Sequence, residues 1–258
     1  MPPSPSQRAR LKAVTFDFWS TLVDGTITPE RTAVRIARLH AAIVGTGFSV
    51  SPEELQAAFA RALDQVSVAA RESLEDVGPP GRWVVLAREL GVPEGLVPFE
   101  VVEKAYQDIT LEPPPDAMPH VHEAVKAMKG AGYKLGVICN TGMAGGHVLR
   151  EVLKKHGLLD YFDVTTFSNE FGVSKPHPTI FLHTLTALGD DIEPHEALHV
   201  GDVEELDVEG ARRAGLFAAL YAPGSNGESV KTRAHFVVTD WRDFGSDIHR
   251  FLPDVTPE

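Results

Sequence analysis

The sequence predicts an α/β fold, a doubly wound parallel sheet with an all-helical domain inserted after its first strand. Helical and strand patterns alternate over residues 118–221, which is typical of a parallel sheet covered by helices on both faces. Residues 26–111, by contrast, show helical patterns only. The prolines at 113–115 end this helical stretch, because consecutive prolines cannot continue a helix.

The same observations predict the domain boundaries. Residues 12–25 and 112–258 are expected to form the α/β core, and residues 26–111 the helical domain. Residues 1–11 are polar and rich in proline, so we expect a disordered leader rather than a signal peptide, which would need an apolar segment.

The composition excludes several classes of partner. The chain has 258 residues, of which 43% are hydrophobic, and its net charge is −12. Because like charges repel, this charge argues against nucleic acid, and no apolar run approaches the roughly 18 residues of a membrane span. The single cysteine, Cys139, allows no internal disulfide and favours a reducing compartment. We therefore expect a cytoplasmic protein whose partner is neither nucleic acid nor a membrane, and the sequence carries no signal for its oligomeric state.

The first strand and the first two helices have clear local signals. Residues 12–18 form a short, largely apolar run, and Thr28 followed by Pro29 is a typical helix start. Ser51 and Glu54 form a capping box that starts a second helix. Helical spacing predicts the buried faces of these two helices, which consist of Ile36, Leu39, Ile43, Leu55, Phe59, Ala62 and Val66.

The remaining elements follow from periodicity and from their bounding residues. Helical patterns also cover residues 80–90 and 98–109. After the prolines, the predicted helices are 118–131, 145–157, 177–188 and 206–214, and the predicted strands are 134–139, 162–167, 197–201 and 216–221.

Polar residues follow several predicted strands, and in a doubly wound sheet ligands bind beyond the carboxyl ends of the strands. We therefore expect these side chains to line one crevice. They are Asp17, Trp19 and Thr21 after the first strand, Cys139, Asn140 and Thr141 after the second, Lys175 after the third, and Asp202 and Asp207 after the fourth.

Four sequence segments that contain these residues together resemble motifs of the haloacid dehalogenase-like hydrolase superfamily, in the form with a helical cap. The segments are DFWSTL from Asp17, GVICNTG around Cys139, KPHPTIF from Lys175 and VGDVEELD from Val200. They occur in the order typical of that family, each at a predicted strand end, over roughly residues 12–222. The inserted helical stretch corresponds to the family's cap.

The resemblance implies catalytic and metal-binding roles. Asp17 would be the nucleophile, and Lys175 would balance the negative charge of Asp17 and of the substrate. Mg²⁺ would be held by the carboxylates of Asp17 and Asp202 and by the backbone carbonyl of Trp19, since hard oxygen ligands suit this ion. Asp207 would orient the metal ligands or Lys175.

The resemblance also implies substrate-binding residues. Asn140 and Thr141 would donate hydrogen bonds to a phosphoryl group. Cys139 stands where the family usually has a hydroxyl residue, and we expect it to be buried rather than nucleophilic. Trp19 and Thr21 in the first motif complete the candidate substrate-binding set.

Trp19 departs from the pattern of the family's phosphatases, which carry a second Asp at this position as general acid. Such help contributes about 10²- to 10⁴-fold to a rate, so its absence disfavours poor leaving groups. The dehalogenases of the family also lack this acid, because halide leaves without a proton, so Trp19 favours a dehalogenase. Asp202 favours a phosphatase, because it indicates a metal site that the dehalogenases do not have.

A Mg²⁺-dependent phosphohydrolase acting on a small phosphorylated metabolite is our first hypothesis. A 2-haloacid dehalogenase is the second, and a catalytically weak binding or regulatory protein is the third.

Overall fold

The structure is a computed structural model that describes residues 11–251. Residues 1–10 of the predicted leader lie outside the described residues, as do residues 252–258. Leu11, the last residue of that predicted leader, is buried in the hydrophobic core beside the first strand.

A six-stranded parallel sheet forms the centre of the molecule, in the order β3-β2-β1-β4-β5-β6. Its strands are β1 (Ala13–Phe16), β2 (Lys134–Cys139), β3 (Val164–Phe167), β4 (Ala197–Gly201), β5 (Phe217–Tyr221) and β6 (Phe236–Val238). The chain adds strands on one side of β1 and then on the other, so the order reverses between β1 and β4. This is the place where a doubly wound sheet opens a crevice for ligands, and the predicted fold class is confirmed.

The first four helices after β1 form their own hydrophobic core. They are α1 (Pro29–Val44), α2 (Pro52–Ser73), α3 (Gly78–Leu90) and α4 (Phe99–Gln107). Thr28 caps α1, and Ser51 and Glu54 form the capping box of α2, as predicted. The apolar faces predicted from helical spacing are buried. We call α1–α4 the helical region.

Helices cover both faces of the sheet. Within residues 11–251, the helices that follow the helical region are α5 (Val121–Gly130), α6 (Gly146–Lys155), α7 (Ser168–Phe171), α8 (Pro178–Leu188), α9 (Glu209–Arg213) and α10 (Phe244–Phe251). Helix α6 follows β2, and α7 follows β3. One core cluster contains apolar residues of α5, α6 and α10, and a second contains those of α8 and α9. Among residues 11–251, no helix combines the length and apolar character needed to cross a membrane.

The structure differs from the predicted elements in a few places. β1 ends at Phe16 rather than at residue 18, because the chain turns at Asp17 to Ser20, where Ser20 has a positive φ of 56°. The predicted helix 206–214 begins with a π-helical turn, Glu204–Val208, before α9. The sequence analysis missed β6, α7 and α10, since three-, four- and eight-residue elements carry little periodicity.

A short segment between α2 and α3 joins the helical region to the sheet domain. Glu75 forms an antiparallel bridge with Val173. The backbone N–H of Asp76 donates to the carbonyl of Gly172 at 3.1 Å, and that of Ser174 donates to the carbonyl of Leu74 at 2.8 Å. These bonds hold the middle of the helical region against the segment that leads into Lys175.

Candidate active site

The predicted acids and the predicted lysine meet at the carboxyl edge of the sheet. One carboxylate oxygen from each of Asp17, Asp202 and Asp207 lies within 4.8 Å of the others. The Nζ atom of Lys175 lies 2.5 Å from Oδ1 of Asp17 and 2.7 Å from Oδ1 of Asp207. Because β1 and β4 are neighbours in the sheet, the residues that follow them converge, as the resemblance implies.

Burial shifts the pKa of the Asp17 carboxyl group away from its usual value. Asp17 directly follows β1, and its backbone N–H donates to the carbonyl of Val200 at 2.8 Å. The pKa of Asp17 is raised to about 7, chiefly because burial disfavours the carboxylate; Lys175 opposes this rise, and Asp207 and Asp202 add to it. Burial and the neighbouring Asp207 likewise raise the pKa of Asp202, which is partly exposed.

Lys175 is a buried cation held by two carboxylates. Its side chain is 2% exposed, and although burial alone would lower its pKa, Asp17 and Asp207 raise it above the usual value. Burial would raise the pKa of Asp207, but Lys175 and His199 hold it well below its usual range. Three carboxylates therefore face one ammonium group. A divalent cation would offset the remaining repulsion, and three oxygen donors within reach of one point fit Mg²⁺.

A buried chain of polar groups positions Asp207. Its Oδ1 also lies 3.2 Å from Nε2 of His199, and its Oδ2 accepts from the backbone N–H of Val203 at 2.9 Å. Nδ1 of His199 lies 2.9 Å from Oγ1 of Thr15 in β1. Any side chain at Gly201 would collide with the Asp207 carboxylate, which explains the glycine before Asp202. Sequence reasoning missed His199, whose only signal is a polar residue inside the apolar strand ALHVG.

Asn140 is bonded to the backbone of Lys175 at both ends of its amide. Its Nδ2 donates to the Lys175 carbonyl at 2.9 Å, and its Oδ1 accepts from the Lys175 N–H at 2.7 Å. The structure thus places Asn140 as a group that positions Lys175, and its amide does not point freely toward a substrate.

Thr141 contacts a residue of the helical region that sequence reasoning missed. Its backbone N–H donates to Oγ of Ser168 at 2.7 Å, and its hydroxyl donates to Oδ2 of Asp76 at 2.8 Å. The buried side chain of Asp76 also accepts from Ser168 Oγ at 2.5 Å and pairs with Arg82 at 3.1 Å. Asp76 lies between two helices and has no recognisable motif, so its partners emerge only from the fold.

The other candidate substrate-binding residues differ in how far their side chains are exposed to solvent. Cys139 and Thr21 are fully buried, and burial raises the pKa of the Cys139 thiol well above its usual value. Among the described residues, Oγ1 of Thr21 has no hydrogen-bond partner. Trp19 is partly exposed, and its ring packs edge-on against Phe18 with centroids 4.8 Å apart.

A cavity of about 410 Å³ lies between the helical region and the sheet domain. Trp19 and Asn140 form part of its wall on the sheet side, and Arg31, Arg35 and Arg82 line it from the helical region. Its volume falls within the range of sites for small molecules.

Comparison with known proteins identifies the family of the chain. The family model for haloacid dehalogenase-like hydrolases matches residues 11–215. The glyceraldehyde 3-phosphate phosphatase of Methanopyrus kandleri is 32% identical over 259 aligned positions, which cover 96% of this chain and 98% of that protein.

Solved structures share the fold. A HAD phosphatase from Thermococcus onnurineus superposes with a TM-score of 0.61 at 24% identity, covering 95% of this chain and 99% of that one. A 2-haloacid dehalogenase from Pseudomonas syringae gives a TM-score of 0.64 at 22% identity, covering 93% and 99%. A HAD hydrolase from Bacillus subtilis bound to magnesium gives 0.61 at 16% identity, covering 95% and 99%.

The family match covers most of the chain, and the full-length relative supports it independently. The sheet order and the helical region after β1 agree with the fold of the solved structures. The resemblance found in the sequence is thereby confirmed: this chain belongs to the haloacid dehalogenase-like hydrolases.

Proposed function

We propose that this chain is a Mg²⁺-dependent phosphohydrolase that acts on a small phosphorylated metabolite through Asp17 as nucleophile. The observation that carries the proposal is the convergence of three carboxylates, two of which bind one buried lysine. Such a cluster suits a divalent cation, which the release of halide from a 2-haloacid does not need. The phosphatase activity in the name of the Methanopyrus relative points the same way.

The proposed reaction has two steps. A carboxylate oxygen of Asp17 attacks phosphorus, the bond to the ester oxygen breaks, and the departing oxygen takes a proton from solvent. Water then attacks the phosphorus of the aspartyl phosphate, which releases inorganic phosphate and restores Asp17. Lys175 stays protonated throughout and balances negative charge beside the nucleophile.

Mg²⁺, held by Asp17, Asp202 and the backbone carbonyl of Trp19, would supply the positive charge that lets an anion approach a phosphate. Asp207 and His199 would keep Lys175 in place, and Asn140 would fix its backbone. Cys139, Thr21 and Thr141 would shape the protein behind the phosphoryl group.

Trp19 narrows the range of substrates. Because tryptophan cannot protonate a leaving group, the first step would favour esters whose oxygen leaves readily, such as aryl or acyl phosphates. The same residue favours the second candidate function, release of halide from a 2-haloacid, since halide leaves without a proton.

One assay separates the hypotheses. We expect p-nitrophenyl phosphate to be hydrolysed with Mg²⁺ and not after EDTA treatment. Chelator-resistant chloride release from 2-chloropropionate would instead establish the dehalogenase. If neither substrate turns over while the folded protein still binds phosphate, the chain is a binding or regulatory protein.

A further inference from the structure

Three arginines of the helical region line one cavity in a chain whose net charge is −12. Arg31 and Arg35 lie one turn apart near the start of α1, and Arg82 lies in α3. The cavity wall contains one acid, Asp24, and its carboxylate already accepts hydrogen bonds from the backbone and hydroxyl of Thr26. The cavity therefore carries a local excess of positive charge.

Arg35 is the most deeply buried of these three arginines, and its charge has no counterpart among the residues that the structure describes. It is 4% exposed, and its Nε donates to the carbonyl of Tyr106 at 3.0 Å. Among residues 11–251, no carboxylate forms an ion pair with its guanidinium. The pKa of Arg35 is lowered to about 10, chiefly by burial and to a smaller extent by the neighbouring Arg31. A buried cation without an anion is costly, so this position points to a negatively charged ligand.

The other two arginines are held differently. Nη2 of Arg31 donates to the carbonyl of Pro113 at 2.8 Å. Arg82 pairs with Asp76 and donates to the Thr141 carbonyl at 3.0 Å, which balances its charge. The N-terminal end of α1, near Arg31, carries a partial positive charge that also favours an anion in the cavity. These groups raise the potential of the cavity, whereas Arg35 offers an unpaired fork of N–H donors.

The cavity borders the proposed catalytic centre. Trp19, two residues after Asp17, and Asn140, whose amide holds the Lys175 backbone, both line it. A ligand with its phosphate at Asp17 would extend past these two residues into the cavity. Its far end would meet the arginines of the helical region.

We propose that Arg35 binds a carboxylate at the far end of the substrate, so that the chain selects phosphate monoesters of short carboxylic acids. This inference rests on the proposed phosphohydrolase function. The planar guanidinium matches a carboxylate with two parallel hydrogen bonds, and the volume of about 410 Å³ suits a molecule of metabolite size. Arg31 and Arg82 strengthen the attraction from the sides.

A matched pair of esters tests the proposal. 3-Phosphoglycerate and glycerol 3-phosphate share a carbon chain and differ in a carboxylate against an alcohol. Both have an alkyl leaving oxygen, so the absent general acid slows both to the same extent and the ratio of their rates isolates the carboxylate. We expect the wild-type kcat/KM to favour the acid by about 10- to 100-fold, the value of hydrogen bonds to a charged group. Arg35→Gln should bring this ratio close to one. An equal preference in the wild type, or a ratio that survives in Arg35→Gln, overturns the proposal.

Two further variants sharpen the result. Arg38→Gln is the matched control, because Arg38 lies on the same helix but forms an exposed ion pair with Glu112 outside the cavity; its ratio should equal the wild-type ratio. Arg35→Lys keeps the charge and removes the fork, so it should lose most of the preference for the acid. It also decides the question if circular dichroism shows that Arg35→Gln does not fold.

Binding separates this inference from the proposed function. If the wild type hydrolyses no phosphate ester, the proposed function fails, and titration calorimetry with the same two compounds then tests Arg35. Tighter binding of 3-phosphoglycerate that disappears in Arg35→Gln supports the carboxylate site. Equal binding of the two compounds overturns it.

Discussion

The ammonium group of Lys175 lies 2.5 Å from a carboxylate oxygen of Asp17, although 158 residues separate the two in the chain. A parallel sheet creates this proximity, because its strands all end at one edge. The same lysine reaches Asp207 at 2.7 Å, so a single cation serves two buried acids. With Asp202 nearby as a third acid, negative charge is in excess at this edge of the sheet.

The first prediction concerns the nucleophile. Asp17→Asn should abolish hydrolysis of p-nitrophenyl phosphate, because the amide is a far weaker nucleophile than the carboxylate. Steady-state release of p-nitrophenol measures the effect. Asp190→Asn, at an exposed acid, serves as the control and should keep wild-type activity. Turnover near the wild-type rate in a folded Asp17→Asn protein would exclude the proposed mechanism.

The second prediction concerns the metal. Mg²⁺ should raise the stability of the wild type, by about 2.7 kcal/mol at roughly 100 times its Kd. Asp202→Asn should lose most of this gain, since it removes one of the three converging carboxylates. Thermal unfolding with Mg²⁺ and with EDTA measures both values. An identical Mg²⁺ effect in the two proteins would argue against the proposed site.

The third prediction concerns the missing acid. Trp19→Asp should raise the rate on an alkyl phosphate by up to about 10²-fold, because a carboxylic acid can protonate the leaving oxygen. The gain on p-nitrophenyl phosphate should be smaller, since its oxygen leaves more easily. The ratio of the two rates is the readout. A folded, Mg²⁺-binding variant without a selective gain would contradict this account of Trp19.

The fourth prediction concerns the contact between the helical region and the sheet domain. Asp76→Ala should lower the free energy of unfolding by roughly 3 kcal/mol or more, because it leaves the charge of Arg82 without its partner. It also removes the acceptor of Thr141 and Ser168. Urea unfolding measures the loss. Glu75→Ala, next to Asp76 with an exposed side chain, is the control and should change stability far less.

The fifth prediction concerns Cys139 and pH. Burial raises the pKa of this thiol well above its usual value, so the thiol stays protonated as the pH rises through the range in which a free cysteine ionises. Ellman's reagent should therefore react slowly with the native protein at both pH 8 and pH 9. In guanidinium the reaction should be fast, and faster at pH 9. Rapid labelling of the folded protein would show that Cys139 is accessible.

Local signals in the sequence were sufficient for most of the architecture. The caps at Thr28 and Ser51, the apolar faces of α1 and α2, and the alternation of helices and strands all depend on residues within a few positions of one another. The positions of Asp17 and Asp202 at strand ends followed from the same alternation. β6 was not predicted, because a three-residue edge strand is too short to show a recognisable alternation of apolar and polar residues.

The tertiary structure alone decided which partners these side chains have. Asn140 bonds the backbone of Lys175, and Asp76 reaches Ser168 across 92 residues. Arg35 is buried with no counter-ion in the part of the chain that the structure describes. No local pattern encodes such contacts, because they depend on how the helical region packs over the sheet. Periodicity and motif order thus determined the fold and the candidate acids. Burial and long-range packing determined their charge balance, the cavity and its unpaired arginine.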